Sequence, residues 1–453
     1  MLMTLHQIND IVAGELTGAD VSINKISIDT RTLQAGNLYL AIIGDKYDGH
    51  DFVDQAEKSG AVAVLLEQNV DTPLPKIIVP DTRLALAKIA GAIRNKIALP
   101  VCAITGSNGK TTVKEMVAAI LSVNAQVLST QGNFNNDIGV PLTLMRLENH
   151  HDFAVIEMGA NHPGEIAYTG QFVRPDISII TNVGSAHLEG FGSTEGVAQA
   201  KSEIIQCLPQ NGTAVLNIDD PFFPFWLEVA GKREVITFGF SETANITATE
   251  ITSKIEQNQF VTTFNLITNK REIPVSLHLA GKHNVLNALA AISACLSLRI
   301  SLEQIQQGLG AMKPVTGRLE PLVSEKGNII INDTYNANPS SLEAALEVLQ
   351  NCPGESWVIL GAFGELGPDS KKIHADLGQL IKSGNVVRLL AVGSDAESTA
   401  STFGKGASFF STQNELIEAL LSEITGNETL LIKGSRTQEM EKVTEALLAR
   451  EAA

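Results

Sequence analysis

At residues 105–112 the chain reads Thr105-Gly106-Ser107-Asn108-Gly109-Lys110-Thr111-Thr112, between an apolar, strand-like run and a segment that favours a helix. The glycines of such a turn let backbone N–H groups converge on phosphate oxygens, and a helix N-terminus adds positive potential. Lys110 can reach the outer phosphates of a nucleotide, and the Thr111 hydroxyl can ligate Mg²⁺. Ile104 stands where the usual phosphate loop has its first glycine. We nevertheless expect the chain to bind ATP or GTP at this turn.

The composition narrows the class of protein. A chain of 453 residues is long enough for two or three domains, each with its own core. The net charge of −17 argues against a nucleic-acid partner, which requires a basic face. No apolar run approaches the ~18 residues of a membrane span, and residues 1–10 lack a basic segment followed by an apolar core. The four cysteines lie far apart without metal or redox spacing, so we expect reduced thiols in a cytoplasmic enzyme.

Alternating strand and helix patterns divide the chain into three α/β regions, which we place at residues 1–98, 99–313 and 314–453. In the first region the pattern predicts strands at 37–43, 61–67 and 76–80 and a helix at 85–94. The second has strands at 153–158, 177–183, 214–217 and 234–238, antiparallel strands between 246 and 279, and a helix at 285–298. The third has strands at 329–332, 357–360, 388–392 and 430–432 and helices at 341–349, 371–382, 414–424 and 438–449. Near-continuous apolar strands between helices favour a parallel sheet covered on both faces.

Polar side chains follow the apolar strands of the second region. Glu157 ends one strand, and because ligands gather at the carboxyl ends of parallel strands, it could hold Mg²⁺ or equally cap a helix. His187 follows the next strand closely, although a lone histidine is more often structural. Asn284 and Asn287 lie three apart on one predicted helix face, where amides can read an adenine edge, with capping as the alternative for Asn284.

Taken together, these motifs resemble the Mur ligase family in order and approximate spacing. The family's phosphate loop reads T-G-[ST]-x-G-K-T, which accounts for the missing first glycine. The resemblance covers the whole chain and implies a UDP-sugar-binding domain, a central ATPase domain with a small antiparallel sheet, and a Rossmann-like C-terminal domain. The further motifs that carry it are Glu157-Met158-Gly159, Asn182-Val183-Gly184-Ser185-Ala186-His187, Lys201, Gly281-Lys282-His283-Asn284 and Asp333-Thr334-Tyr335-Asn336-Ala337-Asn338-Pro339.

The resemblance also implies a metal site. Thr111 and Glu157 would ligate one Mg²⁺, and His187 would ligate a second. Lys201 matches the family lysine that CO₂ converts to a carbamate, an anion that then supports a metal. The sequence alone does not reveal that modification, since a surface lysine on a helix is the ordinary interpretation of Lys201.

ATP would be held mainly by the phosphate loop. The resemblance places Asn284 and Asn287 beside the adenine, and it implies that Arg318 and Asp333 reach ATP when the third domain closes. The implied catalytic residues are Lys110, His187, Lys201 and Arg318. The implied ATP contacts are Gly106, Ser107, Asn108, Gly109, Lys110, Thr111, Thr112, Asn284, Asn287, Arg318 and Asp333.

Within the family, the chain most resembles the branch that joins D-alanyl-D-alanine to UDP-N-acetylmuramoyl-tripeptide. This resemblance implies which residues contact the substrates. The loop at residues 361–367 departs from the family pattern, because Ala362 and Phe363 stand where Asp and Met are usual, whereas His374 and Gly378 still fit. The Asp-Asn-Pro-Arg motif of the diaminopimelate-adding ligase is absent. The implied contacts are Thr30, Arg31, Lys46 and Tyr47 for the UDP-sugar, Asn135 and Asn136 for the muramoyl peptide, and Lys433, Ser435 and Arg436 for the carboxyl-side dipeptide.

Amide formation from a carboxylate requires activation, so the resemblance implies attack of the tripeptide carboxylate on the γ-phosphate of ATP and an acyl phosphate intermediate. We expect a monomer and assign no general base. Two alternatives remain: another ligase of the same fold, such as the tripeptide synthetase or folylpolyglutamate synthase, and, from another class, a regulatory phosphate-loop module. A regulatory module would need neither His187 and Lys201 nor a third domain.

Overall fold

The computed structural model describes residues 3–44, 46–184, 188–268 and 271–449. Its strands form three large sheets and one small ribbon. The five-stranded N-terminal sheet has the order β2-β7-β6-β5-β4 and is parallel except at β2. The elements here are β1 Met3–Thr4, α1 Leu5–Val12, β2 Glu15–Thr17, β3 Ser22–Ile23, β4 Lys25–Ser27, β5 Asn37–Leu40, α2 Val53–Lys58, β6 Ala61–Leu66, β7 Lys76–Ile78 and α3 Thr82–Lys96.

The central sheet has nine strands in the order β16-β15-β14-β13-β12-β11-β8-β10-β9. The six strands from β8 to β13 are parallel, and β14 to β16 form antiparallel pairs, as the alternating pattern predicts. These antiparallel strands extend the parallel sheet, because β14 pairs with β13. Its elements are β8 Val101–Thr105, α4 Lys110–Leu121, β9 Val127–Ser129, α5 Gly139–Leu144, β10 Phe153–Glu157, α6 Glu165–Val173, β11 Ile177–Ile180, α7 Leu188–Phe191, α8 Thr194–Gln206, β12 Thr213–Asn217, α9 Phe223–Ala230, β13 Glu234–Phe238, β14 Ile246–Glu256, β15 Gln259–Thr268, β16 Glu272–Leu277, α10 Lys282–Ser297 and α11 Leu302–Ala311.

The C-terminal sheet has six strands in the order β17-β18-β22-β19-β20-β21 and is parallel except at β17. Helices cover both faces, and each face has its own apolar cluster. Its elements are β17 Glu320–Val323, β18 Ile329–Asp333, α12 Pro339–Gln350, β19 Glu355–Gly361, α13 Ser370–Ser383, β20 Arg388–Val392, α14 Ala396–Phe403, β21 Ala407–Phe410, α15 Gln413–Glu423, β22 Glu428–Lys433 and α16 Glu441–Leu448.

Most predicted elements are present, and the differences have local causes. The strand predicted to reach Val183 ends at Ile180, because the polar residues after it turn to hold the phosphate loop. The helix predicted from Gln438 begins at Glu441, because Glu439 adopts a left-handed conformation with φ 48°. Sequence patterning missed α14, which consists mainly of small and polar residues, and β21, which has only four residues.

Register places the functional strand ends together. In the central sheet β8 lies between β10 and β11, with Glu157 opposite Ile104 and Ile180 opposite Thr105. The phosphate loop therefore leaves the sheet between the ends of two neighbouring strands. In the C-terminal sheet the same geometry pairs Asp333 with Lys433.

The core of the N-terminal sheet is continuous with one face of the central sheet, and α3 joins the two. The opposite face packs on α4, α10 and α11. All four cysteines are free thiols, as expected. Among the residues that the structure describes, no helix has both the length and the apolar character needed to cross a membrane.

Trp226 anchors α9 to α8, because its fully buried indole donates a hydrogen bond to the Ala198 carbonyl (3.1 Å). We expect Trp226→Ala to lower the free energy of unfolding by about 3–5 kcal/mol, through the cavity and the lost hydrogen bond. Urea denaturation followed by circular dichroism measures this change. Leu227→Ala, on the exposed side of the same helix, is the matched control and should cost less than about 1 kcal/mol. Equal losses in the two variants would contradict the anchoring role.

Candidate functional site

The phosphate loop requires glycine at two positions. Gly106 has φ 147° and Gly109 has φ 81°, conformations that L-residues avoid. A Cβ at Gly106 would lie 1.9 Å from the Thr181 hydroxyl, and one at Gly109 would lie 2.3 Å from the Asn287 amide oxygen. The loop therefore passes so close to its neighbours that only backbone fits. Helix α4 begins directly after it, at Lys110, so the N–H groups of its first turn have no intrahelical partner.

The end of β11 holds the loop through residues to which the sequence patterns assigned no role. Asn182 accepts from the Ser107 N–H through its carbonyl (3.0 Å) and from the Asn108 N–H through its side chain (2.9 Å). The Thr181 hydroxyl donates to the Asn108 carbonyl (2.6 Å). Both residues belong to or directly precede a motif that carries the family resemblance, so their position was a signal that could have identified them.

Lys110 folds back over the loop. Its ammonium donates to the carbonyls of Gly106 (2.7 Å) and Ser107 (3.2 Å). Burial lowers the pKa of this ammonium, an effect that Glu157 opposes and Arg318 reinforces. The Lys110 ammonium therefore lies against the loop on which a phosphate would bind.

Glu157 fits the ligand role for a cation. The residue is 2% exposed, its Oε1 accepts from the Asn135 amide (2.8 Å), and its Oε2 is buried without a protein partner. An unpaired buried carboxylate oxygen at a phosphate loop is a suitable donor for Mg²⁺. The backbone N–H of Glu157 donates to the Thr130 hydroxyl (3.0 Å), which fixes the end of the strand.

Of the other implied metal ligands, Thr111 lies within the described residues and His187 does not. The Thr111 hydroxyl lies on the first turn of α4. Within the described ranges no group of three or more His, Cys, Asp or Glu side chains could hold a metal ion. The implied set combines only one carboxylate, that of Glu157, with the Thr111 hydroxyl, His187 and a carbamate on Lys201.

Lys201 lies on α8, and its side chain is buried. This differs from the exposed position that is usual for a helical lysine. Lys201 is 1% exposed, and its Nζ lies 5.4 Å from the centroid of the Phe191 ring. Burial, together with repulsion from Lys110, lowers the pKa of its ammonium to about 7. A neutral amine is therefore accessible near neutral pH, and a neutral amine is the form that can react with CO₂.

Arg318, from the segment before the C-terminal sheet, reaches the phosphate loop. Its Nη2 donates to the Thr111 hydroxyl (2.9 Å), and its guanidinium lies 4.2 Å from the centroid of the Tyr335 ring. Its Nε is buried without a partner. The structure thus brings a cation from the third region to the residue that follows the loop lysine.

Asp333 and Lys433 form a buried ion pair. The Lys433 Nζ lies 2.5 Å from the Asp333 Oδ2 and also donates to the Asn336 carbonyl (3.1 Å). The other oxygen of Asp333 accepts from the Leu319 N–H (3.2 Å). Asp333 thereby fixes the turn that presents Arg318. The implied dipeptide residue Lys433 is 1% exposed and already has a partner.

The two α10 asparagines have different neighbours. Asn284 donates its amide to the Ala280 carbonyl (2.8 Å) and accepts from the Asn287 amide (3.1 Å). Asn287 borders the phosphate loop at Gly109. Burial lowers the pKa of the adjacent His283 to about 4, so its ring is neutral.

The implied UDP-sugar residues lie on the open surface of the N-terminal sheet unit. Arg31 forms a bidentate pair with Asp29 (2.7 and 3.0 Å), Thr30 lies beside it, and Lys46 and Tyr47 are exposed. Tyr47 is 73% exposed and packs edge-on against Phe52 (6.4 Å between ring centroids).

Sequence patterns missed Arg83, which lies at the start of α3. It donates to Asp137 (2.9 Å) and to the Ile43 carbonyl (2.9 Å), and so joins the segment that precedes Lys46 and Tyr47 to the segment that follows Asn135 and Asn136. The Asn136 side chain accepts from the N–H of Gly139 (2.8 Å), the first residue of α5. No local signal in the sequence marks Arg83.

The loop at residues 361–367 is held by buried side chains. His374 Nε2 accepts from the Phe363 N–H (3.0 Å), and its Nδ1–H donates to the Ser370 carbonyl (2.9 Å). The Ser435 hydroxyl donates to the Ala362 carbonyl (2.8 Å). Arg436 is exposed and pairs with Glu441 (2.8 Å).

Gly106→Ala tests the phosphate loop. The new methyl would collide with the Thr181 hydroxyl in a strained conformation, so we expect the affinity for Mg-ATP to fall at least about tenfold. Isothermal titration calorimetry measures the affinity. Gly231→Ala is the control, because Gly231 also has positive φ (60°) but has open space around its Cβ position. Unchanged binding in Gly106→Ala would exclude this loop as the nucleotide site.

Comparison with protein-family models gives three matches along the chain. Residues 22–98 match the model "Mur ligase family, catalytic domain", residues 104–295 match "Mur ligase middle domain", and residues 317–436 match "Mur ligase, glutamate ligase domain".

Individual proteins match over nearly the full length. The UDP-N-acetylmuramoyl-tripeptide–D-alanyl-D-alanine ligase of Escherichia coli is 43% identical over 98% of both chains. The crystal structure I of MurF from Acinetobacter baumannii is 36% identical, with a TM-score of 0.93 over 99% of both chains. The MurF ligase from Thermotoga maritima in complex with ADP is 28% identical, with a TM-score of 0.84 over 93% of this chain and 96% of its own.

Proposed function

The chain belongs to the Mur ligase family, and we propose that it joins D-alanyl-D-alanine to the terminal carboxylate of UDP-N-acetylmuramoyl-tripeptide in peptidoglycan precursor synthesis. The single observation that supports this best is the contact between Arg318 and Thr111 (2.9 Å), which joins the phosphate loop to the third region. A ligase first transfers a phosphoryl group and then admits an amine. It therefore needs residues of the phosphate loop and residues of the third region at one site.

We propose three domains with boundaries at residues 1–98, 99–313 and 314–453. The first would hold the UDP-sugar, the second ATP and the third the dipeptide. Three separate sheets and three family matches within these ranges support the division. We also propose that the enzyme works as a monomer in the cytoplasm, where ATP is available.

In the first chemical step the tripeptide carboxylate attacks the γ-phosphorus of ATP, the bond to the β-γ bridging oxygen breaks, and ADP leaves. Lys110 and Arg318 would neutralise the charge that spreads over the transferring group, which is the main catalytic contribution expected for phosphoryl transfer. Lys110 needs only to exchange two loop carbonyls for phosphate oxygens. The adenine nucleotide would lie on this loop, and the Thermotoga maritima relative, whose structure is a complex with ADP, supports the choice of an adenine nucleotide.

In the second step the amine of the dipeptide attacks the acyl carbon of the acyl phosphate. The tetrahedral intermediate then expels inorganic phosphate and loses the amine proton, which leaves the amide. We assign no residue to that proton. Contacts from three domains would exclude water and protect the acyl phosphate from hydrolysis.

Mg²⁺ would be held by Thr111 and by the unpaired oxygen of Glu157, and a second ion by His187, with the Lys201 carbamate in support. When bound, the metal neutralises charge on the phosphate oxygens. Glu157 keeps its position because Asn135 and Thr130 bind its carboxylate and its N–H.

Substrate contacts would come from all three domains. Thr30, Arg31, Lys46 and Tyr47 would contact the UDP-sugar, and the last three are exposed and so accessible to it. Asn135 and Asn136 would contact the muramoyl peptide, and Arg83 joins Asp137, next to Asn136, to the Ile43 carbonyl in the first domain. Ser435 and Arg436 are proposed contacts of the dipeptide, with Lys433 as the buried support of Asp333.

The proposed reaction can be tested with purified protein, Mg-ATP and UDP-N-acetylmuramoyl-tripeptide. We expect phosphate release only when D-alanyl-D-alanine is added, because the acyl phosphate turns over only when an amine accepts the acyl group. L-lysine, diaminopimelate and glutamate are the controls that separate the other ligases of the fold. Phosphate release with one of these amino acids but not with the dipeptide would assign a different ligase, and no dependence on an amine would favour a regulatory module.

Lys201→Met tests the carbamate. Methionine keeps the apolar stem that packs in α8, so the variant should fold, but we expect activity to fall at least about 100-fold and excess bicarbonate not to restore it. With ¹³C-bicarbonate, carbon NMR should show a carbamate signal in the unchanged protein and none in the variant. Lys442→Met, at an exposed lysine, is the matched control. Full activity in Lys201→Met would remove the carbamate from the mechanism.

A further inference from the structure

The side chain of Asn108 connects the phosphate loop to a helix more than 200 residues further along the chain. Its amide nitrogen donates to the Ser340 hydroxyl (2.9 Å), and its amide oxygen accepts from the Asn338 amide (2.8 Å). Both polar atoms of Asn108 are therefore used by residues at the start of α12. A residue at a phosphate loop would ordinarily direct its side chain to ligand or solvent.

Hydrogen bonds at the start of α12 orient the side chains of Asn338 and Ser340 towards Asn108. Asn338 is the N-cap of α12, and its Oδ1 accepts from the Ser341 N–H (2.9 Å) and from the Ser340 hydroxyl (2.9 Å). The amide nitrogen of Asn338 is thus left to donate to Asn108. The Ser340 hydroxyl donates to Asn338 and accepts from Asn108, so the three side chains form a closed ring of hydrogen bonds, in which each bond polarises the next.

The ring is rigid on the phosphate-loop side. The backbone of Asn108 is bound at its N–H by Asn182 (2.9 Å) and at its carbonyl by Thr181 (2.6 Å), so its side chain has a fixed base. Gly184 packs against the ring, since a Cβ there would lie 3.0 Å from the Ser340 hydroxyl and 3.2 Å from the Asn108 amide nitrogen. The absence of a side chain at Gly184 leaves room for the contact.

We propose that Asn108, Asn338 and Ser340 form an interdomain latch that positions the third domain over the phosphate loop. Arg318 stacks on Tyr335, which lies in the segment between β18 and α12, so holding the start of α12 also holds Arg318. The latch brings the positive end of a 12-residue helix towards the phosphate site. This role rests on the proposed ligase function and assigns the latch residues as positioning residues.

The latch can open at small cost. Asn108, Asn338 and Ser340 are each partly exposed, so water can replace every bond of the ring. Reversibility is needed because ATP must enter and ADP must leave between the domains. The latch therefore shifts the population of the closed arrangement without locking it.

Kinetics of single and double variants test the latch. We expect Ser340→Ala, and Asn338→Ser, which retains a good N-cap residue, to lower kcat about 3- to 10-fold with a smaller change in the KM for ATP, because the loop itself is untouched. In the Asn108→Ala background, Ser340→Ala should have no further effect, since its partner is already gone. Ser341→Ala is the matched control: it perturbs the same helix start but does not contact Asn108, so kcat should stay within about twofold.

A structural readout separates this inference from the ligase assignment. In small-angle X-ray scattering without substrates, Ser340→Ala should have a larger radius of gyration than the unchanged protein, and Ser341→Ala should not. Additive kinetic losses in the double variant, or equal radii of gyration, would overturn the latch. Absence of dipeptide-dependent turnover would instead refute the proposed function, and the scattering comparison would still decide the latch.

Discussion

The site depends on how the end of β11 holds the phosphate loop. Thr181 and Asn182 bind the backbone of Asn108 from both sides, and the glycine at 106 lets the loop approach the Thr181 hydroxyl. This fixes the direction of the N–H groups that open α4, the position of Lys110 and the side chain that meets the third region. Parallel pairing of β8 with β10 and β11 is the reason why these groups meet.

Buried charge around this loop gives the site its chemical character. Glu157 has an unpaired buried oxygen, and Lys201 is a buried amine with its pKa lowered to about 7. An uncompensated buried charge costs roughly several kcal/mol, which is why burial favours the neutral amine of Lys201 and why the unpaired oxygen of Glu157 suits a cation. The Asp333–Lys433 pair is different, because each charge already has its partner and the pair serves to hold the turn of Arg318.

Much of the fold could be predicted from sequence, because most strands and helices show a clear local pattern of apolar residues. Apolar strands between helical segments indicated the central and C-terminal sheets, and alternation indicated the antiparallel strands at 246–279. Short elements such as α14 could not be found, because small and polar residues give no clear period. The phosphate loop and Glu157 were found because they adjoin apolar strands, whereas Arg83 was missed, since its partners come from two distant loops.

By itself, the sequence determined the local chemistry: a glycine turn with Lys110 and Thr111, a carboxylate at a strand end, and a family resemblance along the whole chain. Only the tertiary structure decided that Lys201 is buried, that Lys433 is paired with Asp333, and that the Asn108 side chain meets Asn338 and Ser340. The physical reason is that burial and long-range hydrogen bonds depend on which elements pack together. Residue type and local spacing do not contain that information.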